Sequence, residues 1–233
     1  MAGMLLRAQI RRATTIITVS EPTRQEILEV SPPGTRIIVA TNAASALNTK
    51  CLDATPHDFP EGSILTVGSL EPRKNLMNLV DGFSRLSKRT RREHPLVILG
   101  APNKSVFARA GLLSRLPEEV VIPGRVCDAC LRRAYERAKV FVSVSIAEGF
   151  GIPVLESLKY GSCSLVLSDI PVYRWVVGPY AQYVDPADSR EISGALLSAL
   201  GESVQDVPAE YTERFSWTRS AKIIADELHN LST

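Results

Sequence analysis

The sequence predicts an open sheet of parallel strands covered by helices on both faces, a Rossmann-like α/β fold. Three observations lead there. Short runs such as Ile64-Leu65-Thr66-Val67, Leu96-Val97-Ile98-Leu99 and Val140-Phe141-Val142-Ser143-Val144 are apolar almost throughout, as strands buried on both faces must be. Segments with apolar residues at helical spacing alternate with these runs, and such alternation builds a parallel sheet. The 233 residues are 45% hydrophobic and 22% charged with formal net charge +2, enough to bury one generous core. The same composition excludes a disordered tail, a collagen-like chain and a disulfide-stapled miniprotein. No apolar run approaches the roughly 20 residues of a membrane helix. With 27 basic against 25 acidic residues, the charge balance does not point to nucleic acid. Four Cys in a chain this long fit a reducing, cytoplasmic setting.

Each element can be argued in chain order. Arg7, Arg11 and Arg12 precede the first acidic residue, Glu21, a feature shared with transit peptides. The segment runs directly into the β-branched stretch from Thr14 to Val19, so it reads as a short helix before a strand. Residues 14–39 read strand, helix, strand. Residues 46–61, with Pro56 and Pro60, read as a linker. In the core domain, 62–210, the strand at 64–67 stops at Gly68. The helix that follows carries Leu76, Leu79, Val80, Phe83 and Leu86 and ends in the basic cluster 88–92. Next come a strand at 96–99, a helix at 105–115 and a strand at 120–122. Asp128 is a natural N-cap for a helix through Leu131, Tyr135 and Ala138. After the strand at 140–144, Pro153 suits the first turn of a helix. A strand at 164–168 and a helix at 191–200 complete the core. In residues 211–233, Trp217, Ala221, Ile224, Leu228 and Leu231 fall on one stripe of a terminal helix.

In sheets of this kind, ligands bind beyond the carboxyl ends of the strands. Two loops there are unusual. In Gly68-Ser69-Leu70-Glu71-Pro72-Arg73-Lys74-Asn75 a glycine ends the strand and two cations stand just before a helix. Arg plus Lys beside free helix N–H groups suits a diphosphate, although an Arg-Lys pair in a loop is also an ordinary solvated feature. The second loop runs from Ser145 to Glu156, with Glu148 in the loop and Glu156 one turn inside the next helix. Gly149 and Gly151 between them expose backbone N–H groups. Carboxylates that accept from hydroxyls, flanking amides that meet negative charge, describe a site for an anionic polyol; a capping carboxylate plus an ordinary helix Glu is the plainer alternative. The two cations and two carboxylates are expected to face one pocket. Neither a Walker A loop nor a GxGxxG fingerprint occurs. Cys127-x-x-Cys130 could in principle serve redox or zinc chemistry, but no second pair accompanies it and it reads as two ordinary cysteines.

These residues carry a resemblance. Glu148 and Glu156 form an E-x7-E motif inside EGFGIPVLES, which resembles the retaining glycosyltransferases of family 4, with the GT-B fold. GSLEPRKNL, Gly124-Arg125-Val126 before Asp128, SDIPV at 168–172 and YVDPAD at 183–188 are similar to the same family in the same order, over roughly residues 14–231. The resemblance implies a hexosyltransferase domain that binds a nucleotide-sugar donor (a UDP-, GDP- or dTDP-sugar) and acts without metal, in line with the lack of an Asp-x-Asp pair. It assigns Arg73, Lys74 and Glu148 to catalysis, the cations holding the diphosphate and Glu148 the donor sugar. Phe150, Gly151 and Ile152 would offer amides, with Gly68 and Gly149 allowing close approach. Glu156 would take the ribose, Val154 and Leu155 would lie beside it, and Gly124, Arg125 and Val126 would flank the base. It also implies that residues 1–45 are the end of a first GT-B domain. The acceptor site would then belong to an absent domain or to a partner chain, and any membrane association with it. The expected activity of the chain alone is poor, and a non-catalytic subunit that completes a partner is the alternative.

Overall fold

The computed structural model describes residues 2–50, 57–69, 71–100 and 116–232. The helix expected at 105–115 lies outside the described residues, as does part of the expected linker. A first helix, α1 (Ala2–Arg12), leads into a pair of parallel strands, β1 (Thr15–Thr18) and β2 (Arg36–Val39), joined through α2 (Glu21–Leu28). Buried Ser20 caps α2 by accepting from the Thr23 N–H, and Pro22 stands in its first turn.

The main sheet holds β3 (Ser63–Val67), β4 (Leu96–Leu99), β5 (Val120–Gly124), β6 (Ala138–Ser143), β7 (Ser164–Ser168) and β8 (Gln182–Val184), all parallel. Its spatial order is β5-β4-β3-β6-β7-β8. Strand order therefore reverses between β3 and β6, and in doubly wound sheets that reversal opens the crevice where ligands bind.

Alternate side chains go to opposite faces. Leu65, Val97, Leu99, Phe141, Leu165 and Leu167 join one core cluster, covered by α5 (Asp128–Arg137), α6 (Ile152–Tyr160) and α7 (Pro171–Val177). Ile64, Leu96, Ile98, Val140, Val142 and Val166 join the other, covered by α3 (Leu76–Ser84) and α8 (Ser189–Gly201).

Several boundaries differ from the sequence reading, each for a local reason. The helix expected to run into the basic cluster stops at Ser84. Ser87 then accepts from the Thr90 N–H and starts a separate helix, α4 (Lys88–Glu93). Cys127, not Asp128, is the N-cap of α5, and Asp128 sits in its first turn, where a negative charge also suits the helix end. Asp188 caps α8 through the Arg190 and Glu191 N–H groups, so that helix starts earlier than expected. The short β8 and α7 had no separate periodicity to reveal them. After α9 (Glu210–Glu213), the terminal helix α10 (Trp217–Ser232) forms where expected, but its apolar stripe faces outward. Trp217, Leu228 and Leu231 are 52%, 56% and 57% exposed. Its buried side is polar: Ser220 donates to the Thr41 carbonyl at 2.6 Å, and Glu227, 3% exposed, pairs with Arg36 of β2 at 2.6 Å. Those two contacts fix the helix rotation and tie it to the β1–β2 unit.

Residues just after β2 also pack closely. Ala43 is buried, and the Tyr160 hydroxyl of α6 donates to the Ser45 carbonyl while accepting from the Leu47 N–H.

Three glycines stitch the carboxyl ends of β3, β4 and β5 together. Gly68 N–H donates to the Leu99 carbonyl at 2.8 Å and Gly100 N–H to the Gly124 carbonyl at 3.0 Å. A Cβ on Gly100 would lie 1.8 Å from the Gly68 carbonyl oxygen, so the loops meet only because there is none. Gly100→Ala is therefore expected to lower stability by on the order of 3 kcal/mol, through overpacking against rigid backbone. Urea unfolding measures this, and a wild-type midpoint would show that the loops separate freely.

Candidate active site at the strand-order reversal

The loops after β3 and β6 are the two that flank the reversal, and they are the two singled out by sequence. After β3, Pro72-Arg73-Lys74 forms one tight 3-10 turn. Asn75 follows with φ 55, a left-handed conformation that Asn tolerates better than other side chains. Its side-chain amide donates to the Val144 carbonyl at 3.1 Å and the Pro186 carbonyl at 2.6 Å, which locks the turn against the end of β6. The Ile146 N–H donates to the Arg73 carbonyl at 2.8 Å, joining the two loops directly.

Glu148 completes the junction. Its Oε2 meets Arg73 Nη1 at 2.8 Å and its Oε1 meets Lys74 Nζ at 2.5 Å. Ser145 Oγ donates to the same Oε1 at 2.8 Å. The carboxylate side chain is 8% exposed, Lys74 14% and Arg73 46%. A carboxylate so far removed from water is tolerable because both oxygens are paired. Glu71 holds Arg73 from the other side at 2.7 Å and itself accepts from Ser69 Oγ at 2.7 Å. Burial works against the Arg73 charge, but the bonds and charges of Glu71 and Glu148 outweigh it and raise its pKa. The Ser69 hydrogen bond, then Arg73, hold Glu71 below the usual carboxylate range. The Lys74 stem runs over Gly68, where a Cβ would come within 3.2 Å of Cε.

Beyond Glu148 the chain makes its glycine turn into α6. Gly151 has φ 95, and a Cβ there would meet the Tyr173 ring at 2.8 Å. Tyr173 is buried under the turn, with its hydroxyl 2.7 Å from Ser143 Oγ. Phe150 is buried against Trp175 and Phe215. Pro153 lies in the first turn of α6, and residues 149–153 line one opening at the N-terminal end of that helix.

That opening is a cavity of about 730 Å³, within the range of small-molecule sites. Its core-side wall is Arg73, Glu148 and the stretch 149–153. Its other wall comes from the lead-in: Val19, Pro22, Thr23, Glu26 and Asn42. Thr23 Oγ1 reaches the Gly149 carbonyl at 3.5 Å, and Val19 packs beside the same glycine.

The structure thus brings Arg73, Lys74, Glu148, Gly149, Phe150, Gly151 and Ile152 together. The expectation of two cations and two carboxylates in one pocket is only half met. Lys74 stands behind Glu148 and does not line the cavity among its described residues. Glu156 is 5% exposed, inside α6, and accepts from the Tyr135 hydroxyl at 2.9 Å. Burial first, and then that carboxylate, push the Tyr135 phenol well above its ordinary pKa. Val154 and Leu155 are core side chains, and the Val154 N–H is spent on the Gly151 carbonyl at 3.0 Å. Gly124, with φ 87, Arg125 and Val126 lie at the end of β5, two strands from β3. At about 4.8 Å per strand that is roughly 10 Å along the sheet edge. Among the described residues no cluster of three or more His, Cys, Asp or Glu is placed to hold a metal ion, and no helix is long and apolar enough to cross a membrane.

Sequence reasoning missed Asn75, Ser145 and the whole second wall. Asn75 had a signal, an Asn directly before a helix. Ser145, three residues before Glu148, had none beyond its spacing. Thr23 and Glu26 read only as surface positions of a helix.

The chain belongs to the family described as Glycosyl transferases group 1, whose profile matches residues 53–215. Among its relatives, O-antigen chain mannosyltransferase B of Escherichia coli is 30% identical, over 91% of this chain and 59% of the relative. A serotype-specific mannosyltransferase, WbdA of Escherichia coli, is 27% identical over 94% of this chain and 29% of its own length. This chain spans about three-fifths of the first relative and under a third of the second. In solved structures, sucrose-phosphate synthase from Thermosynechococcus elongatus superposes with a TM-score of 0.77 at 20% identity, over 98% of this chain and 61% of that one. Anabaena HepE, solved with UDP and glucose, gives 0.77 at 15% identity, over 97% and 66%. These likenesses establish the architecture: the Rossmann-like sheet corresponds to half of a GT-B glycosyltransferase.

Burial holds two neutral groups high on the pH scale: the Tyr173 phenol beneath the glycine turn and the Cys163 thiol just before β7 are each pushed up to about 12. In the unfolded chain both lose their protons at lower pH. Above about pH 9 the unfolded state then binds fewer protons than the folded one, and stability falls as pH rises toward about 12. Urea midpoints at pH 8, 9.5 and 10.5 should decrease in that order; a flat profile would mean that neither group is held neutral.

Proposed function

We propose that this chain supplies the donor-binding side of a hexosyl transfer from a nucleotide-sugar, with retention at the anomeric carbon. The observation that carries the reading is the Arg73–Glu148–Lys74 cluster at the reversal of strand order, beside the N-terminus of α6. A departing nucleoside diphosphate gathers negative charge, and two fixed cations with aligned amides stabilise it more than they stabilise the intact donor. Arg73 and Lys74 take that role, with the Phe150, Gly151 and Ile152 amides. Glu148 keeps the cations in place and accepts from hydroxyls of the donor sugar. Glu156, buried against the Tyr135 hydroxyl and outside the described lining of the cavity, is not assigned the ribose, and Val154 and Leu155 contribute backbone position in the first turns of α6. Gly68 leaves room for the phosphates, and Gly124, Arg125 and Val126 flank the base at a separation that suits an extended nucleoside diphosphate.

The relatives named as mannosyltransferases of O-antigen chains make a bacterial surface polysaccharide the favoured setting and mannose the favoured sugar. The reaction proceeds through charge stabilisation by side chains, without a metal. The lead-in, 1–45, is the end of a first GT-B domain, and the acceptor is bound mainly outside this chain, so the chain alone transfers sugar poorly. The outward apolar stripe of α10 favours a second reading, a nucleotide-sugar-binding subunit completed by a partner chain. Restoration of transfer by a chain supplying the first domain would separate the enzyme half from the regulatory subunit.

The direct test is a thermal-shift series with UDP, GDP, dTDP and ADP, each with and without magnesium. A ligand that binds only the folded state raises the midpoint. At least one diphosphate should do so in the wild type and none in Lys74→Ala. An equal shift in Lys74→Ala would contradict the assignment.

A further inference from the structure

The lead-in is more than a packed remnant. Its helix α2 forms the far wall of the cavity, and the residues it turns inward are Pro22, Thr23 and Glu26. Spacing of one and four residues puts them on one face of a helix. Ser20 fixes the start of that helix, as its Oγ accepts from the Thr23 N–H and donates to Thr23 Oγ1 at 2.9 Å. Thr23 in turn reaches the glycine turn that follows Glu148.

The cavity therefore has two carboxylates on its described walls, and they differ in kind. Glu148 already accepts from Arg73, Lys74 and Ser145, which leaves it little capacity for a ligand. Glu26 is exposed and has no hydrogen-bond or ion-pair partner among the described residues. An ionised carboxylate only accepts hydrogen bonds, and it repels phosphate. Arg73 and the α6 N-terminus reserve the core-side wall for negative charge. What faces Glu26 across the cavity must then be neutral and rich in hydroxyl donors.

We infer that Glu26 reads the hydroxyl groups of the transferred sugar and is a specificity-determining residue of this site. This rests on the donor-site reading above and extends it to the opposite wall. A carboxylate can accept from two neighbouring hydroxyls at once, so it discriminates between sugars by the placement of those hydroxyls. A site built around such a bond penalises a ligand that cannot make it. Pro22 stiffens the first turn of α2, and Thr23 holds the helix at a fixed distance from the glycine turn. Both act as positioning residues for the carboxylate.

The test compares a sugar nucleotide with its bare diphosphate on the whole chain: GDP-mannose against GDP, and UDP-glucose against UDP, by titration calorimetry. In the wild type, the sugar nucleotide of the preferred base should bind more tightly than the bare diphosphate. Glu26→Ala should lose that advantage, about tenfold for one charged hydrogen bond, while its affinity for the bare diphosphate stays unchanged. Glu26→Asp should recover part of it. Thr23→Val should weaken the advantage too, and thermal midpoints near wild type would exclude misfolding as the cause. If Glu26→Ala keeps the full advantage, or the wild type has none, the inference fails while the diphosphate site stands. If the wild type binds none of the four ligands, and neither dTDP nor ADP, the donor-site reading falls and takes the inference with it.

Discussion

Everything at the cavity depends on one carboxylate. Glu148 sits where the strand order reverses, nearly out of water, and it is held by an arginine and a lysine from the neighbouring loop. Removing either cation would leave a buried charge short of a partner, which costs far more than the pair contributes in isolation. The cluster therefore fixes the relative placement of two loops more than 70 residues apart in sequence, with the Ile146–Arg73 backbone bond beside it. It also orders Arg73 at the cavity wall, with Lys74 behind Glu148, before any ligand arrives. Groups ordered in advance need not be ordered on binding.

The glycines serve the same arrangement. Gly68, Gly100 and Gly124 let the ends of three strands approach until their backbones bond, and Gly151 lets the chain turn into α6 over Tyr173. From the other side, α10 is pinned to the β1–β2 unit by Ser220 and Glu227, and that unit carries α2 to the cavity. A segment that looks peripheral in sequence thus forms one wall of the opening.

The sheet was legible except for its short edge strand β8, because the strands between its edges are apolar and buried on both faces; no tertiary information is needed to see Leu96 to Leu99 as a strand. The two loops stood out because glycines and charges crowd the strand ends there, although each charge alone also fits an ordinary solvated loop. Other features depended on contacts distant in sequence. Nothing near Glu26 or Thr23 announces a cavity, since the wall exists only after α2 docks on the glycine turn. The stripe of α10 was visible as a period, but its outward orientation was set by Arg36 and Thr41, far away in the chain. Glu156 carried a motif position, yet its bond to Tyr135 turns it into the fold, a choice made by α5 packing on α6.

In the proposed function Arg73 and Lys74, held by Glu148, receive a diphosphate at the carboxyl ends of β3 and β6. A crystal of this chain grown with a nucleoside diphosphate measures it most directly. The account predicts phosphate oxygens within about 3 Å of the Arg73 guanidinium and Lys74 Nζ, the usual length of a charge-assisted hydrogen bond, with the phosphates over the start of α6. A nucleotide seated elsewhere, with both cations still paired only with Glu148 and Glu71, would contradict it.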